Sequence, residues 1–344
     1  MSREADLIEE VGRVLGYDRI PPVLPRIVGR GRRTDAQRLV ARLAGRAADL
    51  GLFEAVTYRF VPESDADRLR LAADDPRRDV VRLANPISED MAVMRRSMLP
   101  GLLRAAARNQ RRQRPSGGLF ETGRTYAPRP DGLADEREWL ATLVFGPAGR
   151  EHWRGEPLPN DVWAALGVAE ALTRAAGVTT AVVANAAPYF HPVRQARLEA
   201  GGVPVAWAGE VHPLVLRAFD VTGPATAVVV DLGALAAAVP RGPRVFAELA
   251  TAPASTRDLA VVVPDGVAAA DLLATARQAG APLVRDARVF DRYAGAQVGE
   301  GLVSLAIRLT VADPARTLTE PEIAGAVEAV RDALQARHGA RLRT

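Results

Sequence analysis

DLAVVV (258–263), PLVRDARVFDRYAG (282–295) and GLVSLAIRLTV (301–311) decide the fold of the C-terminal third. All three are rich in β-branched or aromatic residues, and a Gly-rich turn separates the second from the third, so they read as strands. Between the first two, Gly266 to Ala279 sets Leu272, Leu273 and Ala276 at helical spacing. After the third, Thr319-Glu320-Pro321-Glu322 is a capping box with proline in the first turn. Ile323, Val327, Val330 and Leu334 then mark one helical face, and ARLR (340–343) reads as a closing strand. The order β-α-β-β-α-β within about 90 residues is the split βαβ, ferredoxin-like arrangement.

Upstream, VPRGPRVF (239–246) reads as a crossing into a larger unit. There AVTYRFV (55–61), GLFETGRTY (118–126), WLATLVFG (139–146), TAVVA (180–184), VAWAGEV (205–211) and TAVVVDL (226–232) are alternating or apolar runs. Helical stretches at 99–114, 161–176 and 213–219 are interspersed without a regular βαβ period, which predicts an α+β class with a largely antiparallel sheet. A helix beginning at Thr34/Asp35 lines up Leu39, Leu43, Ala47 and Leu50 and stops at Gly51. IPPVLPRIVGRGRR (20–33) reads as linker. Before it, Leu7, Ile8, Val11, Val14 and Leu15 form the apolar face of a helix too short to bury that face alone, so it must dock or be the stub of a further domain.

A length of 344 residues, 48% hydrophobic and 25% charged, suits two globular domains. No apolar run is long enough for a transmembrane helix, and MSREADLIEE is acidic where a secretory signal would be basic, so a cytoplasmic protein without a membrane partner is expected. There is no cysteine, which excludes disulfides, thiolate catalysis and Cys-ligated zinc. There is no lysine either: all 45 basic residues are arginine, which removes a P-loop or Schiff-base lysine. The net charge of +4 permits a nucleic-acid partner without requiring one.

No nucleophile elbow, zinc-protease helix or Gly-rich phosphate loop is present. His152, His191, His212 and His338 are scattered and read as structural. Arg104, Arg108, Arg111 and Arg112 share a helical face that could grip phosphates or an acidic protein, or simply be solvated. Asp6, Glu9 and Glu10, at i, i+3 and i+4, form an oxygen cluster of the kind Mg²⁺ accepts; equally, Asp6 with Glu9 makes a helix-capping box. Arg257, Arg288, Tyr293 and Arg308 lie on or near strands of the small C-terminal sheet, and a sheet face bearing arginines and an aromatic suits single-stranded RNA.

Several motifs together resemble the C-terminal half of the bacterial phenylalanyl-tRNA synthetase β subunit. DLIEEVGRVLGYDRIP (6–21) resembles the end of its B5 domain; LANPISEDMAVMRRSMLPGLL (83–103), LFETGRTY (119–126), HPVRQA (191–196) and GEVHP (209–213) resemble its catalytic-like module. STRDLAVVV (255–263), VFDRYAG (289–295), SLAIRLT (304–310), RTLTEPEI (316–323) and GARLR (339–343) resemble its ferredoxin-like anticodon-binding domain. The series runs in order along nearly the whole chain. The oligonucleotide-binding and editing domains of the family have no counterpart, so the chain reads as a fragment, a misplaced start or a truncation. HPVRQA departs from the pattern with Val193 and Gln195, where glycine and a small residue are expected.

The resemblance implies a B5 remnant at 1–25, a non-catalytic class II synthetase-like module with an antiparallel sheet at 26–240, and a ferredoxin-like βαββαβ domain at 241–344. It implies a catalytic α subunit as partner in an α2β2 assembly, phenylalanine tRNA as ligand of the C-terminal domain through Arg257, Arg288, Tyr293 and Arg308, and ATP used by the α subunit. The family associates the DLIEE carboxylates with magnesium, which makes Asp6, Glu9 and Glu10 metal candidates; a further family aspartate would fall just before Met1, so weak binding is expected. Class II sites clamp ATP with arginines, yet Leu119 stands where one is expected and ATAVVVDLGAL (225–235) has none. The chain alone is therefore expected to be inactive. A paralogue that binds RNA or protein without a role in aminoacylation is the alternative.

Overall fold

The computed structural model describes residues 3–24, 31–147, 153, 155, 158–240, 242, 246, 252–295 and 297–342. The chain divides into two compact units, Met1–Arg241 and Gly242–Thr344. In the first, α1 (Glu4–Leu15), α2 (Asp35–Asp49), β1 (Phe53–Glu54), β2 (Phe60–Val61), α3 (Asp65–Arg68), β3 (Val93–Met94) and α4 (Leu99–Arg111) lead into the long hairpin β4 (Gly117–Pro128) and β5 (Ala134–Phe145). Then follow α5 (Val162–Ala175), β6 (Ala181–Ala184), β7 (Phe190–Ala200), β8 (Val203–Val211), α6 (Pro213–Ala218), β9 (Ala225–Asp231) and α7 (Leu232–Ala238).

Seven of these strands make one sheet in the order β1-β4-β5-β9-β8-β7-β6, with β2 and β3 paired apart. All neighbours in the large sheet are antiparallel except β1 with β4. Strand alternation gives it two inner faces. On one, Leu140, Leu198, Ala206, Ala208, Val228 and Val230 are packed by Leu39 and Leu43 of α2, Ala169 and Leu172 of α5, and Leu235 of α7. On the other, Ala141, Leu143, Phe145, Ala225 and Ala227 lie with Leu102, Leu103 and Ala106 of α4 and Val215 and Leu216 of α6. This second cover stops short, leaving Trp139, Trp207 and Val229 only half-buried.

The stretch AVTYRFV does not form one strand. Only its last two residues, Phe60 and Val61, are in β2, while Val56 and Tyr58 are 92% and 73% exposed. The reason is at Thr57, whose backbone N–H and hydroxyl donate to Glu121 Oε1 and Oε2 at 3.4 and 2.7 Å, so a side chain rather than a strand ladder takes this N–H. Conversely, HPVRQA lies within β7. Its departure at Gln195 is accommodated: Gln195 is buried, accepts from Asn185 Nδ2 and Ala187 N–H at 2.8 Å each, and faces Gly209, where a Cβ would collide with it. On α1 the apolar residues Leu7, Ile8, Val11, Val14 and Leu15 are all more than half exposed.

The second unit runs β10 (Ser255–Pro264), α8 (Ala269–Ala279), β11 (Val284–Tyr293), β12 (Leu302–Val311), α9 (Glu320–His338) and β13 (Arg341–Leu342). Its sheet order is β11-β12-β10-β13, all antiparallel, which is the ferredoxin-like topology read from the sequence. Leu259, Val261, Val263, Leu305, Ile307 and Leu309 point at Leu272 and Ala276 of α8 and Ile323, Val330 and Leu334 of α9. The expected capping box opens α9, Thr319 N–H donating to Glu322 at 2.8 Å, and Gly339 closes it with φ 63°. Residues 25–30 of the linker (20–33) and residues 241 and 243–245 of the crossing (239–246) lie outside the described residues. Among the described residues no helix is long and apolar enough to cross a membrane.

Candidate functional site

The face of the small sheet turned away from α8 and α9 gathers three of the four residues singled out in the C-terminal unit. Register places Arg308 opposite Asp258 on β10 and opposite Arg288 on β11, and Tyr293 opposite Ser304. Cross-strand partners share a face, so Arg288, Tyr293 and Arg308 stand together on the side without helices. Arg257 does not join them. It lies one residue out of phase, on the helix side of β10, and its Nη2 donates to both oxygens of Glu320 at 2.6 Å.

Arg308 binds Asp258 in a two-pronged contact at 2.8 and 2.7 Å. These hydrogen bonds hold the Asp258 carboxyl below its usual range and raise the Arg308 guanidinium. The same guanidinium lies 4.8 Å from the centre of the Phe290 ring. Phe290 is the residue that sequence reading missed. Pairing skips from Val289 to Asp291, a β-bulge that leaves Phe290 unpaired and brings its half-exposed ring to the open face. An earlier bulge at Arg285 is betrayed by the uneven spacing of buried Val284 and Ala287; nothing in the residue pattern marks the second.

In the first unit, the short cover on the large sheet leaves a hollow of about 740 Å³ over β5, β9 and β8. Trp139 and Trp207 stand in it with ring centres 5.9 Å apart, tilted 52° to each other. Arg70, Arg77, Arg96 and Arg197 line it. Hydrogen bonds from Arg77 hold the Asp75 carboxyl down to about 2, and Arg197 binds Glu199 at 2.6 Å. Outside the lining of this hollow, Arg95 and Glu121 make a buried ion pair at 2.8 Å, with Thr57 as a further donor to the carboxylate. Neither place where a clamp arginine is expected carries one: Leu119 packs with the apolar core, and Ala225–Asp231 is all small or β-branched until its final aspartate. The arginine stripe of α4 is divided, Arg104 binding Asp65 and Arg111 reaching Asp220 at 2.9 Å.

The carboxylates of α1 do not converge. Asp6 stands at the third helical position and accepts from the Arg3 backbone N–H at 3.3 Å, so the box expected of Asp6 with Glu9 does not form, and Glu10 accepts from Arg13 at 3.1 Å. Among the described residues no three histidine or carboxylate groups could hold a metal ion. Mg²⁺ needs near-octahedral oxygen geometry, so the donor set of α1, as folded, does not fit it. Separately, Phe53, Val56, Tyr58 and Ile87 are each more than 70% exposed.

Residues 20–232 match a family profile described as the phenylalanyl tRNA synthetase beta chain CLM domain, and residues 250–343 match the ferredoxin-fold anticodon binding domain. The chain is 38% identical to the phenylalanine–tRNA ligase beta subunit of Moorella thermoacetica, over 100% of this chain and 43% of that protein. It is 40% identical to that of Novosphingobium aromaticivorans, over 97% and 42%. The chain thus spans less than half the length of these curated relatives. Among solved structures, pyrrolysyl-tRNA synthetase from Desulfitobacterium hafniense superposes with a TM-score of 0.48 at 16% identity, over 59% of this chain and 68% of that one.

Proposed function

The chain belongs to the phenylalanyl-tRNA synthetase β-chain family, and we propose that it is the architectural and tRNA-binding portion of a phenylalanine–tRNA ligase β subunit, working in the cytoplasm. In this reading the ATP-dependent joining of phenylalanine to its tRNA is done by a separate α subunit, and this chain supplies no catalytic residue. The observation that carries the reading is the ordered pair of family matches, which together reach from residue 20 to residue 343. The α subunit docks on the first unit, in an α2β2 assembly. The exposed apolar residues Phe53, Val56 and Tyr58, at the β1 edge of the large sheet, are its proposed contact; apolar area at the centre is what lasting interfaces bury.

The second unit takes the anticodon stem-loop on its open sheet face. Phe290 and Tyr293 offer rings for unstacked bases, and Arg288 and Arg308 offer charge to phosphates. Co-expression with the α subunit tests the assembly: a single peak on a sizing column at micromolar concentration is expected, and separate elution refutes it. Purified chain free of α subunit should show no phenylalanine-dependent ATP–pyrophosphate exchange. Exchange by the chain alone would overturn the non-catalytic role.

A further inference from the structure

The hollow on the large sheet is a better-built feature than a scaffold needs. Its floor is aromatic and fixed: Trp139 Nε1–H donates to Thr125 Oγ1 at 2.8 Å, which pins one ring, and Trp207 leans on it. Its wall is basic. Two of the four arginines are neutralised, Arg77 by Asp75 and Arg197 by Glu199. The other two form no ion pair among the described residues. Among the described residues Arg96 donates only to the carbonyls of Tyr126 and Pro76, at 3.2 Å each, and its buried Nε has no hydrogen-bond partner. Burial pushes its pKa below the ordinary arginine value, against the opposing pull of the Asp79 carboxylate.

Among the described residues Arg70 reaches only the Nε2 of His212. The His212 Nδ1 already accepts the backbone N–H of Leu214 at 3.0 Å, at the start of α6. A neutral imidazole has a single acceptor nitrogen. With Nδ1 committed, Nε2 carries the proton, and the Arg70 guanidinium faces a donor instead of an acceptor. Arg70 is also exposed, so it can turn toward an anion at little cost.

An inorganic anion would satisfy the arginines and leave the tryptophans idle; an apolar ring would do the reverse. A planar aromatic ring bearing a negative group uses both. At about 740 Å³ the hollow lies within the range of small-molecule sites, about 300–1,000 Å³. We propose that it is a mononucleotide-binding site, with the base against Trp139 and Trp207 and the phosphate between Arg70 and Arg96. No covalent step is involved, and the site is independent of the anticodon face and of the apolar edge at β1.

Calorimetric titration of the full chain with AMP, adenosine and inorganic phosphate tests this. Saturable AMP binding is expected, with adenosine and phosphate each weaker by tenfold or more. Arg70→Glu, at an exposed position, should weaken AMP at least tenfold while leaving the melting temperature unchanged. Trp207→Leu should weaken AMP and adenosine alike. Absence of saturable AMP binding, equal binding in Arg70→Glu, or phosphate binding as tight as AMP would each overturn the proposal. Assembly with the α subunit, read by sizing column, is a separate outcome, so failure of one reading is not mistaken for failure of the other.

Discussion

The side chains of Arg95 and Glu121 are 4% and 3% exposed and hold each other at 2.8 Å, so neither charge has water to fall back on. Arg95 also donates to the carbonyl of Arg124 at 2.8 Å, and Thr57 completes the carboxylate. Gly123 makes room for this, since a Cβ there would meet the Arg95 guanidinium and the Met98 methyl. Removing one partner strands the other, so Glu121→Ala is expected to cost about 3–5 kcal/mol in urea unfolding. Asp75 gives a pH signature. Its carboxyl sits at about 2, against an ordinary 3.8, chiefly through hydrogen bonding to Arg77. Below the ordinary value the unfolded chain takes up the proton more readily, so the contribution is full above about pH 4 and is lost as pH falls through about 2. Asp75→Asn should flatten that part of the acid limb, measured by fluorescence-detected unfolding. Both residues of the buried pair stand in motifs read from the sequence, Glu121 in LFETGR and Arg95 in LANPISEDMAVMRRSMLPGLL, but their pairing is not legible there. Arg95 lies 26 positions upstream, and only the packing of β4 brings it near.

At the scale of elements, the open face of β11, β12 and β10 is the part of the site that a sequence half discloses. The sequence places Arg257, Arg288, Tyr293 and Arg308 on or near strands without assigning faces; plain alternation would set Arg288 and Tyr293, five residues apart, on opposite sides, and the bulge at Phe290 brings them to one. Arg257 was grouped with them by nearness alone, and the phase of β10 puts it on the helix side with Glu320. Phe290 was invisible, since a bulge is an event of pairing between strands and not of one strand's composition. In the assembled enzyme, Phe290→Ala is expected to weaken tRNA binding tenfold or more, as loss of one stacked base is worth about 1–3 kcal/mol. Arg257→Ala should change it far less. Equal losses from both, in a filter-binding assay, would move the interface off this face. On α1, calorimetric titration with MgCl₂ is expected to show no binding tighter than millimolar, and the same curve for Glu9→Gln/Glu10→Gln. Micromolar binding abolished in the double variant would show that the helix gathers its carboxylates after all.

For the molecule as a whole, the ferredoxin-like unit was readable from order and capping alone, because each of its elements buries one regular face. The larger unit was readable in class but not in detail. Its first strands are two residues long, and Thr57 is held by a carboxylate from β4, a long-range contact without local pattern. The exposed run there leads to a prediction at this scale: Val56→Asp with Tyr58→Asp should abolish co-elution with the α subunit while each unit's melting transition persists. The edges of the two larger sheets carry a different consequence. The large sheet ends on β1, two residues, and β6, four; the small one ends on β13, two residues, and on β11, which is bulged twice. Short and bulged edges give a second chain little backbone to add to. Kept at high concentration without a partner, the chain is therefore expected to cluster reversibly through greasy side chains, dispersed by the same two aspartates. It should not seed fibres, and thioflavin fluorescence should stay flat over days in which light scattering rises and falls with dilution.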